Sequence, residues 1–292
     1  MLERIPEFCR ERMLVDRIKH ENALDYARKL VTIALDAPET SDPNQFSLWV
    51  ARWIYERKGS EENRKNIWAA LSAYSNWYHA KGFGPDFVAP VRGRMKFRLQ
   101  PVIMPPSLED IRVILAHIME CAGKAERPFP HLRYHAMVVL DMYTGMRRHE
   151  ITQLRRRDLC LDEHNPRIQF QGKCYKTRTV PLVEPLRLYL QDYLRGITTD
   201  YIFPAYPDKD TPIDDSHFSR AWKAYKNGAG YSDRRWRLHD VRHAFGTHCA
   251  EQGMSPLVLR DLLGHSTLNM TMRYVHVAQT AARAELERVF AR

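Results

Sequence analysis

No apolar run in this chain approaches the roughly 20 residues that a helix needs to cross a bilayer. Its start, MLERIPEFCRER, carries charges where a secretory signal would carry its apolar stretch. A soluble, cytoplasmic protein without a membrane partner is therefore expected. Metal and nucleotide signatures are missing as well. The five cysteines, Cys9, Cys121, Cys160, Cys174 and Cys249, are odd in number, widely spaced and form no C-x-x-C pair, which speaks for reduced thiols rather than a disulfide framework or a zinc knuckle. There is no HExxH run and no G-x-x-x-x-G-K-[ST] loop, so no cofactor, metal or ATP is expected. His131 and His135 stand i, i+4 but have no carboxylate motif beside them, and are read as helix-surface histidines. Internal repeats and low-complexity tracts are absent, and 44% hydrophobic with 27% charged residues is the balance of a folded globular protein.

Acid is scarcer than base. Forty-five Lys plus Arg face 35 Asp plus Glu, a net charge of +10, with 17 basic and 13 acidic residues in the first hundred positions. The remaining positions are basic too. Clustered cations gain affinity for phosphates by releasing counterions, so a nucleic acid gripped by two domains is the expected partner. A length of 292 residues suits two domains.

The first part reads as helical. Leu24, Ala27, Val31 and Ala34 form one stripe at helical spacing, Phe46, Trp49, Val50, Trp53 and Ile54 a second, and Ile67, Leu71, Tyr74 and Tyr78 a third. Aromatics at this spacing point to a bundle core rather than a base-stacking platform. From Gly84 to Pro106 the pattern breaks at five prolines, and Arg92, Arg94, Lys96 and Arg98 follow one another with no intervening acid. Such a stretch extends and can follow a phosphate backbone. The expected division is a helical DNA-binding domain over 1–95, a basic linker over 96–106 and a second domain over 107–292.

That second domain opens at Ser107, with Asp110 three residues on and Ile111, Ile114, Leu115 and Ile118 on one face, the pattern of a capped helix. Helices are expected over 131–143, 149–154, 185–194 and 216–225. Short strands are expected over 167–170 and 178–182, joined by a polar turn around Gly172 and Lys173. The fold class is mainly α, with a small sheet in the second domain.

Groups suited to a phosphodiester occur there in order: Arg147 in TGMRRHEI, Lys173 in QGKCYKTRTVPL, His239 and Arg242 in LHDVRHAFGTH, His265 in LLGHS and Tyr274 in MRYVH. A phosphodiester transition state concentrates charge on non-bridging oxygens, where fixed cations lower the barrier. Arginine suits the task because it stays charged and grips two oxygens with a planar fork. His239 and Arg242, three residues apart, share one helix face.

Taken together these motifs resemble the tyrosine recombinases of the phage integrase family: an Arg after a T-G turn with Glu150 three residues on, a hairpin Lys, an H-x-x-R-H helix, an L-G-H turn, and a Tyr nine residues after its His. The resemblance spans about 107–280, with departures at Cys174 and Val241. It implies that Arg147 and Arg242 clamp the phosphate, that His239 and His265 add hydrogen bonds, and that Glu150 orients the arginine site. Tyr274 would attack to give a 3′-phosphotyrosyl enzyme and a free 5′-hydroxyl, with a hairpin lysine protonating the leaving oxygen. Lys173 is the first choice for that acid and Lys176 its competitor. The resemblance further implies double-stranded DNA as substrate and a self-tetramer on paired sites, served by accessory DNA-bending or directionality proteins. The tail from Val277 to Phe290, with Ala281, Leu286 and Val289 also apolar, docks on a neighbouring subunit or on its own domain. Alternatives are a topoisomerase-like or telomere-resolving enzyme of the same chemistry, and a non-catalytic DNA-binding regulator built on the helix-turn-helix-like run 255–274.

Overall fold

A computed structural model describes residues 2–18, 20–97, 104–171 and 177–277. The chain separates into two compact units, Met1–Val102 and Ile103–Arg292. Among the described residues, no helix is long and apolar enough to cross a membrane.

The first unit contains α1 (Ile5–Leu14), α2 (His20–Asp36), α3 (Pro43–Glu56), α4 (Glu61–Ala80) and the single turn α5 (Ala89–Arg92). Asp42 and Ser60 cap α3 and α4 by accepting hydrogen bonds from the backbone N–H groups of Asn44 and Asn63. Phe46, Val50, Ile54, Ile67, Leu71 and Tyr74 are all buried in one core. Its aromatics meet edge to face, Phe8 with Tyr74 and Phe46 with Phe87, both at 5.3 Å between centroids, a packing geometry that leaves these rings no face for bases.

Two expectations change here. On α2 the buried face carries Ala23, Leu30 and Ile33, whereas Leu24 and Val31 are 41% and 45% exposed. Both stripes obey helical spacing and lie side by side, and the helix turns the one holding Leu30 and Ile33 toward α1 and α4. The proline-bearing stretch is also packed further along the chain than its composition suggests. Phe87 and Val88 are buried in the first core, Val91 is buried as well, and Tyr55 Oη donates to the carbonyl of Lys96 at 2.6 Å. Arg92, expected to follow phosphates, instead donates to Asp86 and to Asn76, each at 2.6 Å. Arg94 and Lys96 are exposed, and Arg98 lies outside the described residues.

The second unit begins with α6 (Leu108–Lys124), whose Ser107 and Asp110 make the expected reciprocal capping box. There follow α7 (Phe129–Thr144), α8 (Arg148–Thr152), β1 (Leu159–Cys160), β2 (Arg167–Gln171), β3 (Thr177–Pro181) and α9 (Glu184–Leu194). The hairpin β4 (Pro204–Tyr206) and β5 (Lys209–Pro212) leads into α10 (Asp215–Gly228), α11 (His239–Glu251), α12 (Pro256–Leu263) and α13 (Leu268–Val277). Strands β1, β2 and β3 form an antiparallel sheet in that order, with Ile168 opposite Val180 and Gln171 opposite Thr177. Ile168 and Val180 are buried with Ile111, Ile114, Leu140 and Trp222 in a single core.

His131 and His135 are half-buried rather than on the surface. Each bonds a different tyrosine, His131 Nδ1 with Tyr225 Oη at 2.9 Å and His135 Nδ1 with Tyr189 Oη at 2.6 Å. Burial lowers His135 to about 4. Cys9, Cys121, Cys160 and Cys249 are free thiols.

Candidate active site

The site forms where α7 stops. Gly145 ends that helix in the left-handed region at φ 56°, which glycine adopts without a Cβ penalty. Space demands glycine as well, since a Cβ there would lie 2.5 Å from Phe245 and 2.9 Å from Leu263. This tight stop lets α8 start immediately and brings Arg147, its N-cap residue, back toward the end of α12.

Arg147 Nη1 donates to Glu150 Oε1 at 2.8 Å and Nη2 to the carbonyl of Gly264 at 2.6 Å. Arg242, 2% exposed on α11, donates through Nη1 to the carbonyl of Gly145 at 2.5 Å and through Nη2 to that of Leu263 at 2.6 Å. Both guanidiniums are thus aimed by backbone oxygens of the two turns that define the site. Burial, reinforced by the nearby charges of Arg147 and Arg178, lowers Arg242 to about 10, so it remains a cation at neutral pH.

Arg178, on β3, is a site residue that the sequence reading missed. It is buried, donates through Nη1 to Glu150 Oε2 at 2.7 Å and through Nη2 to the carbonyl of Leu262. Glu150 therefore bridges two arginines. Burial pushes its carboxyl up, but Arg178 and then the hydrogen bonds and charge of Arg147 outweigh this and hold it below the usual range. The alternation of β3 was the available signal, because it turns Arg178 and Val180 to the same side. Replacing Arg178 with leucine is expected to cost about 3–5 kcal/mol, the usual cost of breaking a buried pair, as read from urea unfolding.

His265 follows Gly264 in the turn between α12 and α13. Its Nδ1 lies 2.8 Å from Thr271 Oγ1, and Thr271 is fully buried. Burial, then the charges of Arg242, Arg147 and Arg178, lowers His265 to about 4. The ring is neutral near pH 7. A threonine hydroxyl that donates to Nδ1 would leave the ring proton on Nε2, as a hydrogen-bond donor. The ring stacks on Tyr274, with centroids 6.2 Å apart and planes 11° from parallel.

Tyr274 is 4% exposed, and its hydroxyl lies 2.8 Å from His243 Nδ1. His239 is exposed at the first turn of α11, edge to face with His243 at 4.7 Å. The structure therefore gathers Arg147, Glu150, Arg242, His265 and Tyr274, with His239 at their margin. Lys173 and Lys176 lie outside the described residues, as does the tail beyond Val277. Among the described residues, no three or more His, Cys, Asp or Glu side chains are grouped so as to hold a metal ion.

The sequence profile described as the phage integrase family matches residues 114–281. The chain belongs to this family. Its relatives within the family include the tyrosine recombinase XerA of Pyrococcus furiosus, 28% identical over 64% of this chain and 63% of XerA. The XerD of Yersinia pestis is 32% identical over 52% of each protein. The chain thus matches between half and two thirds of the length of these two relatives, while the XerD of Neisseria meningitidis, at 28% identity, aligns over 92% of this chain and 91% of its own. Among solved structures, the Tn1549 transposon integrase in complex with transposon right end DNA superposes with a TM-score of 0.73 at 18% identity, covering 99% of both chains. This phage integrase family member shares that fold, mainly α with small antiparallel sheets.

One buried acid interacts with Arg242 and Glu150 of the site. Asp141 on α7 is 2% exposed, and its Oδ1 has no partner among the described residues. Burial raises its pKa well above the usual value, with Arg242 opposing and Glu150 assisting. The folded state therefore keeps a proton that the unfolded chain releases near pH 3.9. Stability must fall as pH rises from that unfolded value toward the folded one. Asp141→Asn is expected to match the parent near pH 4 and to exceed it by roughly 1–3 kcal/mol at pH 8, measured by urea unfolding at both pH values.

Proposed function

We propose that this chain is a site-specific DNA recombinase or integrase that cleaves and rejoins duplex DNA through a 3′-phosphotyrosyl bond at Tyr274. One observation carries this reading: Arg147 and Arg242 converge through Gly264 and Leu263 on the turn whose next residue, His265, stacks against Tyr274. Two fixed cations and a neutral imidazole donor suit the non-bridging oxygens of a phosphodiester, and the tyrosine beside them suits attack on its phosphorus. Glu150 and Arg178 position the clamp. Lys173, with Lys176 as competitor, supplies the leaving oxygen's proton from the β2–β3 hairpin.

The covalent bond conserves the energy of the broken linkage, so rejoining needs neither ATP nor metal. The first unit binds the duplex through basic surface including Arg94 and Lys96, and four subunits exchange strands between paired sites. Accessory DNA-bending or directionality proteins serve the assembly.

The test takes binding sites selected from random duplexes and pairs them on DNAs with different flanks, in excess chelator. Joined products with exchanged flanks are expected. Rejoining with the original flanks only would favour a topoisomerase-like enzyme, and cleavage restored only by a divalent ion would favour a nuclease. Binding without any cleavage would favour the regulator. With a net charge of +10, affinity for the same duplex is expected to fall steeply between low and high salt, and a flat response in a filter-binding titration would contradict the DNA grip.

A further inference from the structure

The phenol of Tyr274 must lose its proton to attack phosphorus, and the arginines around it cannot take that proton because guanidinium has no acceptor. His265 is close, but its ring is stacked parallel to the tyrosine and its Nδ1 is engaged by Thr271. A stacked imidazole presents a face, whereas proton transfer needs an in-plane lone pair. His243 meets that requirement, with Nδ1 2.8 Å from Tyr274 Oη.

The surroundings hold this contact in register. The tyrosine ring lies over Gly246, one turn further along α11, where a Cβ would come within 2.8–3.0 Å of three ring carbons. The glycine lets α11 and α13 approach closely enough for the hydroxyl to reach His243. The charged groups facing His243 are Asp240, Arg242 and Arg237 from its own segment and Arg273 from α13. Burial lowers His243, with Arg273, Arg242 and Arg237 acting the same way and Asp240 opposing. Burial likewise raises Tyr274, with Arg242 and Arg273 opposing. Both partners are therefore neutral before attack, and in the Nε2–H tautomer of His243 the phenol O–H donates to the Nδ1 lone pair.

We propose that His243 is a further catalytic residue, the general base that receives the Tyr274 proton during DNA cleavage. This rests on the reading of Tyr274 as nucleophile. The phenol O–H bond breaks and its proton goes to Nδ1, forming an imidazolium. The phenolate oxygen bonds to phosphorus, the P–O5′ bond breaks, and the leaving oxygen takes its proton from the hairpin lysine. In rejoining, the 5′-hydroxyl attacks, the lysine recovers its proton, and the imidazolium returns its own to the departing phenol.

Single-turnover cleavage of a nicked suicide duplex tests this with His243→Gln, which keeps an acceptor but no basic nitrogen, and with His243→Ala. Both are expected to bind DNA as the parent does and to form adduct about 10²–10⁴ times more slowly. Their rates should rise with pH, about tenfold per unit, where the parent has levelled off. Added imidazole should partly restore His243→Ala, and a 5′-bridging sulfur should restore neither variant. Parent-like rates in His243→Gln would overturn the proposal. So would faster cleavage in either variant, which would make the contact a resting latch, or slow cleavage with an unchanged pH profile and no imidazole rescue. Should His243→Ala fail to fold, the rate and pH profile of His243→Gln decide. An adduct that persists in Tyr274→Phe would instead locate the failure in the nucleophile assignment.

Discussion

Incubated with a nicked suicide duplex, the Tyr274→Phe protein is expected to bind DNA and to form no covalent adduct. Phenylalanine keeps the ring that packs over Gly246 and against His265 and removes only the hydroxyl with its bond to His243. A lost hydrogen bond of this kind costs about 1 kcal/mol, too little to unfold the domain, so thermal unfolding should move by a few degrees at most while adduct formation disappears. Peptide mass spectrometry of the parent adduct should place the DNA on the peptide containing Tyr274. Attachment to another residue, or an adduct of normal yield in the variant, would sink the assignment.

The second large effect separates proton delivery from charge stabilisation. Lys173→Ala is expected to cut ordinary DNA about 10²–10⁴ times more slowly, the usual contribution of a general acid. Replacing the bridging 5′-oxygen with sulfur gives a leaving group whose conjugate acid has a pKa near 8.5, as thiols do, so it departs without a proton. Lys173→Ala should then regain much of its rate. Arg147→Ala and Arg242→Ala should lose about 10²–10³ in rate on both substrates, because the charge they stabilise sits on the non-bridging oxygens. Rescue of Lys176→Ala but not of Lys173→Ala would move the acid to Lys176; rescue of neither would end the hairpin-acid idea.

The sequence was most legible where one local rule acted alone. Ser107 with Asp110 announced the start of α6, and the Phe46 and Ile67 stripes identified buried helix faces. It was least legible where two local patterns competed or where partners were distant in the chain. On α2 two adjacent stripes satisfied the same period, and only packing against α1 and α4 chose Leu30 over Val31. The cations from Arg92 onward suggested a free basic run, yet Asp86 lies close enough in the fold to claim the first of them. Arg178 read as one polar position in a strand because its partners, Glu150 and the Leu262 carbonyl, stand 28 and 84 residues away. His243 was hidden by its own motif: H-x-x-R-H drew attention to the first histidine, which is exposed, while the second faces the tyrosine. The short hairpin β4–β5, with Tyr206 opposite Lys209, offered too few alternating residues to register as strands.

The arginine forks of the site also serve as fasteners between chain segments remote from one another. Arg242 ties Gly145 to Leu263, and Arg147 reaches Gly264 across 117 residues. Lysine has three donors on one nitrogen but no planar fork, so it would not fix the two carbonyls of the Arg242 cradle in the same rigid geometry. A nascent chain halted before α12 would hold Arg147 without the turn that aims it, and a mature chain whose α12 has frayed would keep Tyr274 while releasing its cations. Under the proposed function this amounts to an interlock: cutting would require that the last third of the domain has closed on the first.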